Sequence, residues 1–267
     1  MMHFSNLHTH TTFSDGKNTP EEVVRAAMIK QMCAIGFSDH SYTPCDESYC
    51  IPAAAIPAYC REIRRLQEIY RNEIDVLLGL ELDACSECHR TAYDYLIASV
   101  HYLCIGGACY PVDHSLRQQT DCINRAFHGD KVRMAKRYFS DVYAHVAATH
   151  PDIVGHFDVI TKFGLFDDAM TDYRETAKKA VREVLQICPI IELNTGAISR
   201  GVRAVPYPED YLLYEILNAG GKITLSADAH VAETIDSGFS EAIMRLRRIG
   251  YEKIYFLMRD GWHEQKI

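Results

Sequence analysis

Phe4-Ser5-Asn6-Leu7-His8-Thr9-His10-Thr11-Thr12-Phe13-Ser14-Asp15-Gly16 sets a short apolar start directly ahead of two histidines that are one residue apart. Phe4 to Leu7 reads as a strand, and side chains two apart along a strand share a face. His8 and His10 are therefore aimed at one spot, an arrangement that suits a metal ion. Asp15-Gly16 is a turn dipeptide that can fold the Asp15 carboxylate back toward the same spot. Alone, such a pair is equally a polar strand end. Its weight comes from repetition along the chain.

The same device recurs. The apolar run 34–38 ends in Asp39-His40, the run 74–80 in Glu81, and the run 95–100 in His101. The run 153–155 leads into His156-Phe157-Asp158, 189–193 ends in Asn194, and 222–227 ends in Asp228-Ala229-His230. Between the runs lie helix signals. Thr19-Pro20-Glu21-Glu22 combines a capping Thr, Pro at the first helical position and Glu three after the cap, for a helix ending near Gln31. Pro57 opens a helix carrying Ile63, Leu66, Ile69 and Tyr70, and others are expected near 171–186, 208–218 and 237–249, before a last apolar run at 254–257. Strands alternating with helices imply a parallel sheet, and this many units favour closure into an α/β barrel with its active site at the C-terminal strand ends. The segment of about 102–150 breaks the rhythm with a Gly106-Gly107 loop and two helices, around 115–127 and 130–147. It reads as an elaborated strand-to-helix connection of the kind that carries function on a rigid frame. With no repeat and no linker-like shift in composition, one domain over 1–267 is expected.

Composition narrows the function. The chain has 267 residues, 48% hydrophobic and 24% charged, enough for a large core, and carries a formal charge of −8. No basic block stands out, so nucleic acid is disfavoured as a partner. An anionic small substrate remains open where metal ions supply local positive charge. No leader-like start and no membrane-length apolar run are present, so a soluble cytoplasmic protein away from membranes is expected. The ten cysteines are expected as free thiols acting as small hydrophobes. Cys85-Ser86-Glu87-Cys88-His89 has the form of a haem attachment site, but nothing directs export, and as half a zinc site the pair lacks a second pair. No nucleophile elbow and no Gly-rich phosphate loop occur.

The strand-end residues together with Asp15 supply six imidazoles and three carboxylates without a thiolate: His8, His10, Asp15, His40, Glu81, His101, His156, Asp228 and His230. One ion takes four to six ligands, so two or three divalent transition-metal ions are implied, and mixed N/O ligation suits Zn, Fe or Mn. A water between two such ions loses a proton near neutral pH and can attack a phosphoryl group in line. Arg200 is a candidate phosphate clamp, with Arg203 in reserve. Asp158, two residues past His156, is a candidate general acid or an orienting partner for a ligand imidazole. His145 and His150 are expected to close a helix as favourable cations, while His3, His89, His114, His128 and His263 read as surface or loop residues, with a substrate contact from His114 on the elaborated loop as an alternative.

In order, H-x-H with a following Asp, D-H at His40, G-x-E at Glu81, S-V-H at His101, G-H-x-D at His156 and D-A-H at Asp228 and His230 resemble the polymerase and histidinol phosphatase (PHP) superfamily. The resemblance spans residues 7 to about 231, and its segment 191–196 is most similar to the stand-alone histidinol-phosphate phosphatases of that superfamily. It implies a distorted (βα)7 TIM-like barrel with a trinuclear centre. Glu81 would bridge two metals; His8, His10 and Asp228 would complete one, His101 and His156 the second, and Asp15, His40 and His230 the third. It also implies an Arg closely following Asn194-Thr195, with Asn194 and Arg200 in contact with substrate; Arg200 lies one residue further along than the family spacing. The implied activity is a metal-dependent phosphomonoesterase acting on L-histidinol phosphate in histidine biosynthesis. The alternatives are a PHP phosphoesterase for nucleotides or short oligonucleotides, and a non-catalytic metal-binding regulatory protein.

Overall fold

In the computed structural model, which describes residues 4–267 and so leaves His3 outside, the strands are β1 (Ser5–Asn6), β2 (Ala34–Phe37), β3 (Asp75–Asp83), β4 (Tyr95–Ser99), β5 (Tyr102–Ile105), β6 (Ala108–Pro111), β7 (Ile153–Val154), β8 (Ile190–Asn194), β9 (Lys222–Ser226), β10 (Lys253–Met258) and β11 (Gly261–Lys266). The helices are α1 (Pro20–Ile29), α2 (Ile56–Ile69), α3 (Leu116–Phe127), α4 (Lys131–Thr149), α5 (Thr171–Val184), α6 (Gly196–Ser199), α7 (Asp210–Asn218) and α8 (Phe239–Ile249). The main sheet runs β1-β2-β3-β4-β7-β8-β9-β10-β11, with every pair parallel except β10–β11. Thr9 makes a parallel bridge to Ala229, so the seven strands β1–β4 and β7–β9 close into a ring at its C-terminal mouth. The seam is held by the His10 N–H on the Ala229 carbonyl at 2.8 Å and the Ala229 N–H on the His8 carbonyl at 3.2 Å. Lower down, β9 pairs with β10 instead, which distorts the barrel.

The period of two along β3 separates two apolar layers. Val76, Leu78, Leu80 and Leu82 face outward into the large core shared with the helices, while Leu77 faces inward with Leu7, Tyr95, Ile97, Ile153, Ile190 and Leu257. Glu81 and Asp83 share the inward face with Leu77 and Gly79. The strand thus passes from apolar plug to carboxylate within one row. Tyr95 fills the barrel floor: a Cβ on Gly79 would lie 2.2 Å from its Cζ, and one on Gly36 would lie 2.3 Å from its hydroxyl. That hydroxyl donates to the Leu7 carbonyl.

Several expectations are corrected. The strand expected to end at Glu81 continues to Asp83. The expected Gly106-Gly107 loop is a β5–β6 hairpin, because φ of 60° and 82° at the two glycines makes the two-residue turn whose twist matches paired strands. Across it Cys104 and Cys109 form a disulfide, so the cysteines are not all free thiols. β11, a polar edge strand, was unanticipated. On α2, Ile63 and Leu66 are fully buried, but Ile69 is 51% exposed. His145 lies within α4 and donates from Nε2 to the Leu82 carbonyl at 2.8 Å; burial lowers its pKa, so it is not a helix-end cation. The capping box at Thr19 forms as read, with Thr19 Oγ1 and the Glu22 carboxylate each accepting the other's backbone N–H.

Gly79→Ala is expected to destabilise the protein by about 1–3 kcal/mol through overpacking against Tyr95. Urea unfolding checks this: the midpoint should fall at constant m, and an unchanged midpoint would mean that the ring yields freely.

Candidate metal centre

The strand ends deliver the nine candidate ligands to one place. His8 and His10 follow β1 and line the closing seam, with ring centroids 5.2 Å apart. Glu81 is their common neighbour. Its Oε2 lies 3.3 Å from His8 Nε2, 3.7 Å from His10 Nε2 and 2.7 Å from His40 Nδ1. Its Oε1 lies 2.9 Å from His156 Nε2 and 3.4 Å from His101 Nε2. The two oxygens thus face two different sets of imidazoles. Asp228 Oδ1 is 3.2 Å from His10 Nε2, and Asp15 Oδ2 is 3.2 Å from His230 Nε2. Asp228 adopts φ 45°, a left-handed conformation that a non-glycine residue rarely keeps without compensation.

The donor chemistry fits divalent ions. Buried His8 Nε2, both ring nitrogens of His10, Asp15 Oδ1 and Glu81 Oε2 have no hydrogen-bond partner. Buried polar atoms left unpaired are costly, and several converging lone pairs are what a cation satisfies. Three- and four-residue groups with mutually close ligand atoms form here: His10, Asp15, His40 and His230; His8, His156 and Asp228; His8, His10 and Glu81; His40, Glu81 and His101. Burial, with His40 and His230 beside it, pushes His10 down to about 3, leaving a neutral ring with a lone pair to offer. Burial works to raise Glu81, but His8, His40 and His101 outweigh it and hold the carboxyl well below its ordinary value.

Behind the ligands stand carboxylates that the sequence reading passed over. Glu192, inward on β8, accepts from His8 Nδ1 at 2.9 Å, the His156 N–H at 2.6 Å, the Ser226 hydroxyl at 2.7 Å and the Asn194 amide at 2.8 Å. Asp83 accepts from His101 at both Nδ1 and the backbone N–H, each at 2.9 Å. Asp39 accepts from the Thr11 N–H at 2.7 Å and the Ser14 hydroxyl at 2.5 Å, fixing the loop between His10 and Asp15. Such partners set the tautomer and direction of a ligand ring. The available signal was the period-two spacing of Asp83 from Glu81 and of Glu192 from Asn194, and for Asp39 its place directly before His40.

Among Asn194, Asp158, Arg200 and Arg203, only Arg200 faces the cavity of about 500 Å³ that opens over the centre. It donates to the Asp228 carbonyl at 2.7 Å and to Asp228 Oδ2 at 3.0 Å. Asn194 is corrected: it is fully buried, its amide on Glu192 and its oxygen accepting from the Gly196 N–H at 2.9 Å. Arg203 is tied to Glu209 and to Thr161 Oγ1 and lies over the Tyr207 ring. Asp158 is also corrected. It is fully buried away from the cavity, accepts from the Glu209 N–H at 3.1 Å, and has no bond to the His156 ring. Burial, with Glu209 beside it, pushes it up to about 7, and its side chain is not part of the cavity lining. His114, read as a loop residue, lines the cavity beside Tyr49 and Asp113.

A parallel α/β barrel with imidazoles and carboxylates gathered at the C-terminal strand ends defines a barrel metalloprotein. The PHP domain family model matches residues 6–196, and the chain belongs to that family. It is 26% identical to a Deinococcus radiodurans protein named "Probable histidinol-phosphatase", with 96% of each chain covered. It is 23% identical to the Bacillus subtilis histidinol-phosphatase, over 89% of this chain and 97% of that one. A crystal structure of histidinol phosphate phosphatase from Lactococcus lactis subsp. lactis, complexed with zinc, L-histidinol and phosphate, superposes with a TM-score of 0.74 at 20% identity, covering 98% of this chain and all of that one. The fold is therefore the distorted TIM-like barrel of this family. No helix among the described residues is long and apolar enough to cross a membrane.

Glu192→Gln keeps the shape but weakens the acceptor shared by His8 and His156. Metal affinity should fall about 10–100-fold, read by competition against a chelator with the fold checked by circular dichroism; full affinity would show that Glu192 does not orient these ligands.

Proposed function

We propose that this chain is a metal-dependent phosphomonoesterase that hydrolyses L-histidinol phosphate to L-histidinol and phosphate, a step of histidine biosynthesis. The observation that carries this reading is the convergence of unpartnered imidazole and carboxylate atoms on one cavity that also presents Arg200. The names of the relatives support it. The whole chain acts as one unit, with the segment of about 102–150 supplying part of the cavity wall through Asp113 and His114.

His8, His10 and Asp228 would hold one ion, His101 and His156 a second, and Asp15, His40 and His230 a third, with Glu81 shared. Zinc, iron and manganese all suit these donors. Divalent ions bound there supply positive charge for the phosphoryl oxygens and acidify water near neutral pH. The remaining work falls to the protein. The Arg200 guanidinium spends part of its five-donor fork on Asp228 and keeps the rest for phosphate. Also on the cavity wall, Asp113 Oδ2 accepts from Lys162 Nζ at 3.2 Å while the buried Oδ1 has no partner. Burial works to raise its pKa, but Lys162 and His101 hold the carboxyl well below its ordinary value, so it stays ionised. The Asp113 carboxylate, lining the cavity with Tyr49 and His114, suits the cationic amine and imidazole of histidinol.

The test compares kcat/KM for histidinol phosphate with that for mononucleotides and sugar phosphates. A preference of about 100-fold, roughly 2.7 kcal/mol, is expected, together with loss of turnover on chelation; equal turnover of a nucleotide would reject this substrate while keeping the metal chemistry. Arg200→Ala should raise KM by the equivalent of about 1.5–3 kcal/mol, the worth of a hydrogen bond to a charged group. Elemental analysis should find the metal retained. Loss of metal instead would reassign Arg200 to holding Asp228.

A further inference from the structure

Outside the barrel mouth, a second group of ligand-type side chains comes together from three separate loops. Cys45 lies in the connection after β2 and Cys85 just beyond β3, while Cys104 and Cys109 face each other across the β5–β6 hairpin. All four sulfur atoms lie within 4.8 Å of one another, and Cys85 Sγ is 3.2 Å from Cys104 Sγ. A tetrahedral thiolate site with metal–sulfur bonds of about 2.3 Å spaces its sulfurs about 3.8 Å apart. The Cys104–Cys109 spacing, with four residues between on a tight hairpin, is also that of a common ligand pair for structural zinc. Cys85 thus finds the partners that its neighbour Cys88 does not supply.

The geometry points to a structural site for one thiophilic divalent cation of the zinc type, held in the reduced protein by Cys45, Cys85, Cys104 and Cys109. The disulfide between Cys104 and Cys109 is the oxidised state of two of these ligands. Two equivalents of a low-molecular-weight thiol open it, taking up the bridge between their own sulfurs and leaving two protein thiols. The cation then displaces four protons, one from each cysteine. Cys45 is exposed and the other three are half-buried, so an ion has a path in from solvent.

A purely thiol-exchange role fits less well. Exchange needs an attacking thiolate, yet burial first, and then the nearby Asp83 carboxylate, push both free thiols up, Cys85 most strongly. A bound divalent charge reverses that balance for all four sulfurs at once. The site is independent of the phosphatase reading, because it shares no ligand with the barrel centre. Its place is nonetheless telling. The Cys85 N–H donates to Asp83 at 2.8 Å, and Asp46, next to Cys45, accepts from the hydroxyl of Tyr102, the residue after His101, at 2.7 Å. One ion here would clamp together the three loops that follow His40, Glu81 and His101.

The test uses the full-length protein isolated anaerobically under reducing conditions, with cobalt(II) as the probe. Cobalt loading should give an intense near-ultraviolet thiolate-to-cobalt charge-transfer band, which the imidazole–carboxylate centre cannot produce because it contains no sulfur. The band should vanish in Cys45→Ser/Cys85→Ser, which should also hold about one equivalent less zinc, and should survive in Cys88→Ser. Titration of the wild-type protein with an organomercurial should release that one equivalent without any variant having to fold. Absence of the band, no mercurial-released zinc, or mass spectrometry finding the Cys104–Cys109 disulfide intact after reducing isolation would each overturn the proposal.

Discussion

Everything at the mouth of the barrel answers to one buried carboxylate. Glu81 is 1% exposed, near the C-terminal end of an interior strand, with five imidazoles facing its two oxygens. An ion withdrawn from water without compensation costs several kcal/mol, so such a group persists only where opposite charge surrounds it. The imidazoles must in turn be held with their lone pairs turned inward. Glu192 and Asp83 do this from behind, each binding the far nitrogen of a ligand ring. Negative charge therefore lies on both sides of the ring of histidines, and divalent cations are the natural filling.

The inward row of β3 explains why the centre and the barrel core do not interfere. Leu77 and Gly79 belong to the packed floor beneath Tyr95, and two residues further the same face carries Glu81 and then Asp83. A shift of one residue in register would exchange these with Leu78 and Leu80 and bury the carboxylates in the outer core. The pairing of β3 with β4, Glu81 opposite Ile97 and Asp83 opposite Ser99, locks this choice.

The barrel and the convergence of the candidate ligands were legible because all of them except Asp15 sit where an apolar run stops, a signal carried by local order alone. Glu192 lies within the apolar run 189–193, two residues before Asn194, but its partners Ser226 and His8 come from other segments and local order does not show them. Asn194, Asp158 and Arg203 look like site residues by position, and only their partners Glu192, Gly196, Glu209 and Thr161 show that they are already engaged. The β5–β6 hairpin could have been read: two glycines between short apolar stretches are a turn signal as much as a loop signal. β11 could not, since its Gly-Trp-His-Glu-Gln-Lys run has no apolar alternation and takes its order from β10.

The seam between Thr9 and Ala229 has a consequence for biogenesis. The first candidate ligand to be synthesised, His8, has no neighbouring Asp228 until the whole span between them has been made. Contacts at such separations are slow to form because the intervening loop must close before they return any stabilisation. An ion held by both His8 and Asp228 would therefore be bound only after the segment that carries Asp228 has been made and has met the first strand at the Thr9–Ala229 seam. A chain truncated before residue 228 would lack the Thr9–Ala229 bridge and with it the closed mouth.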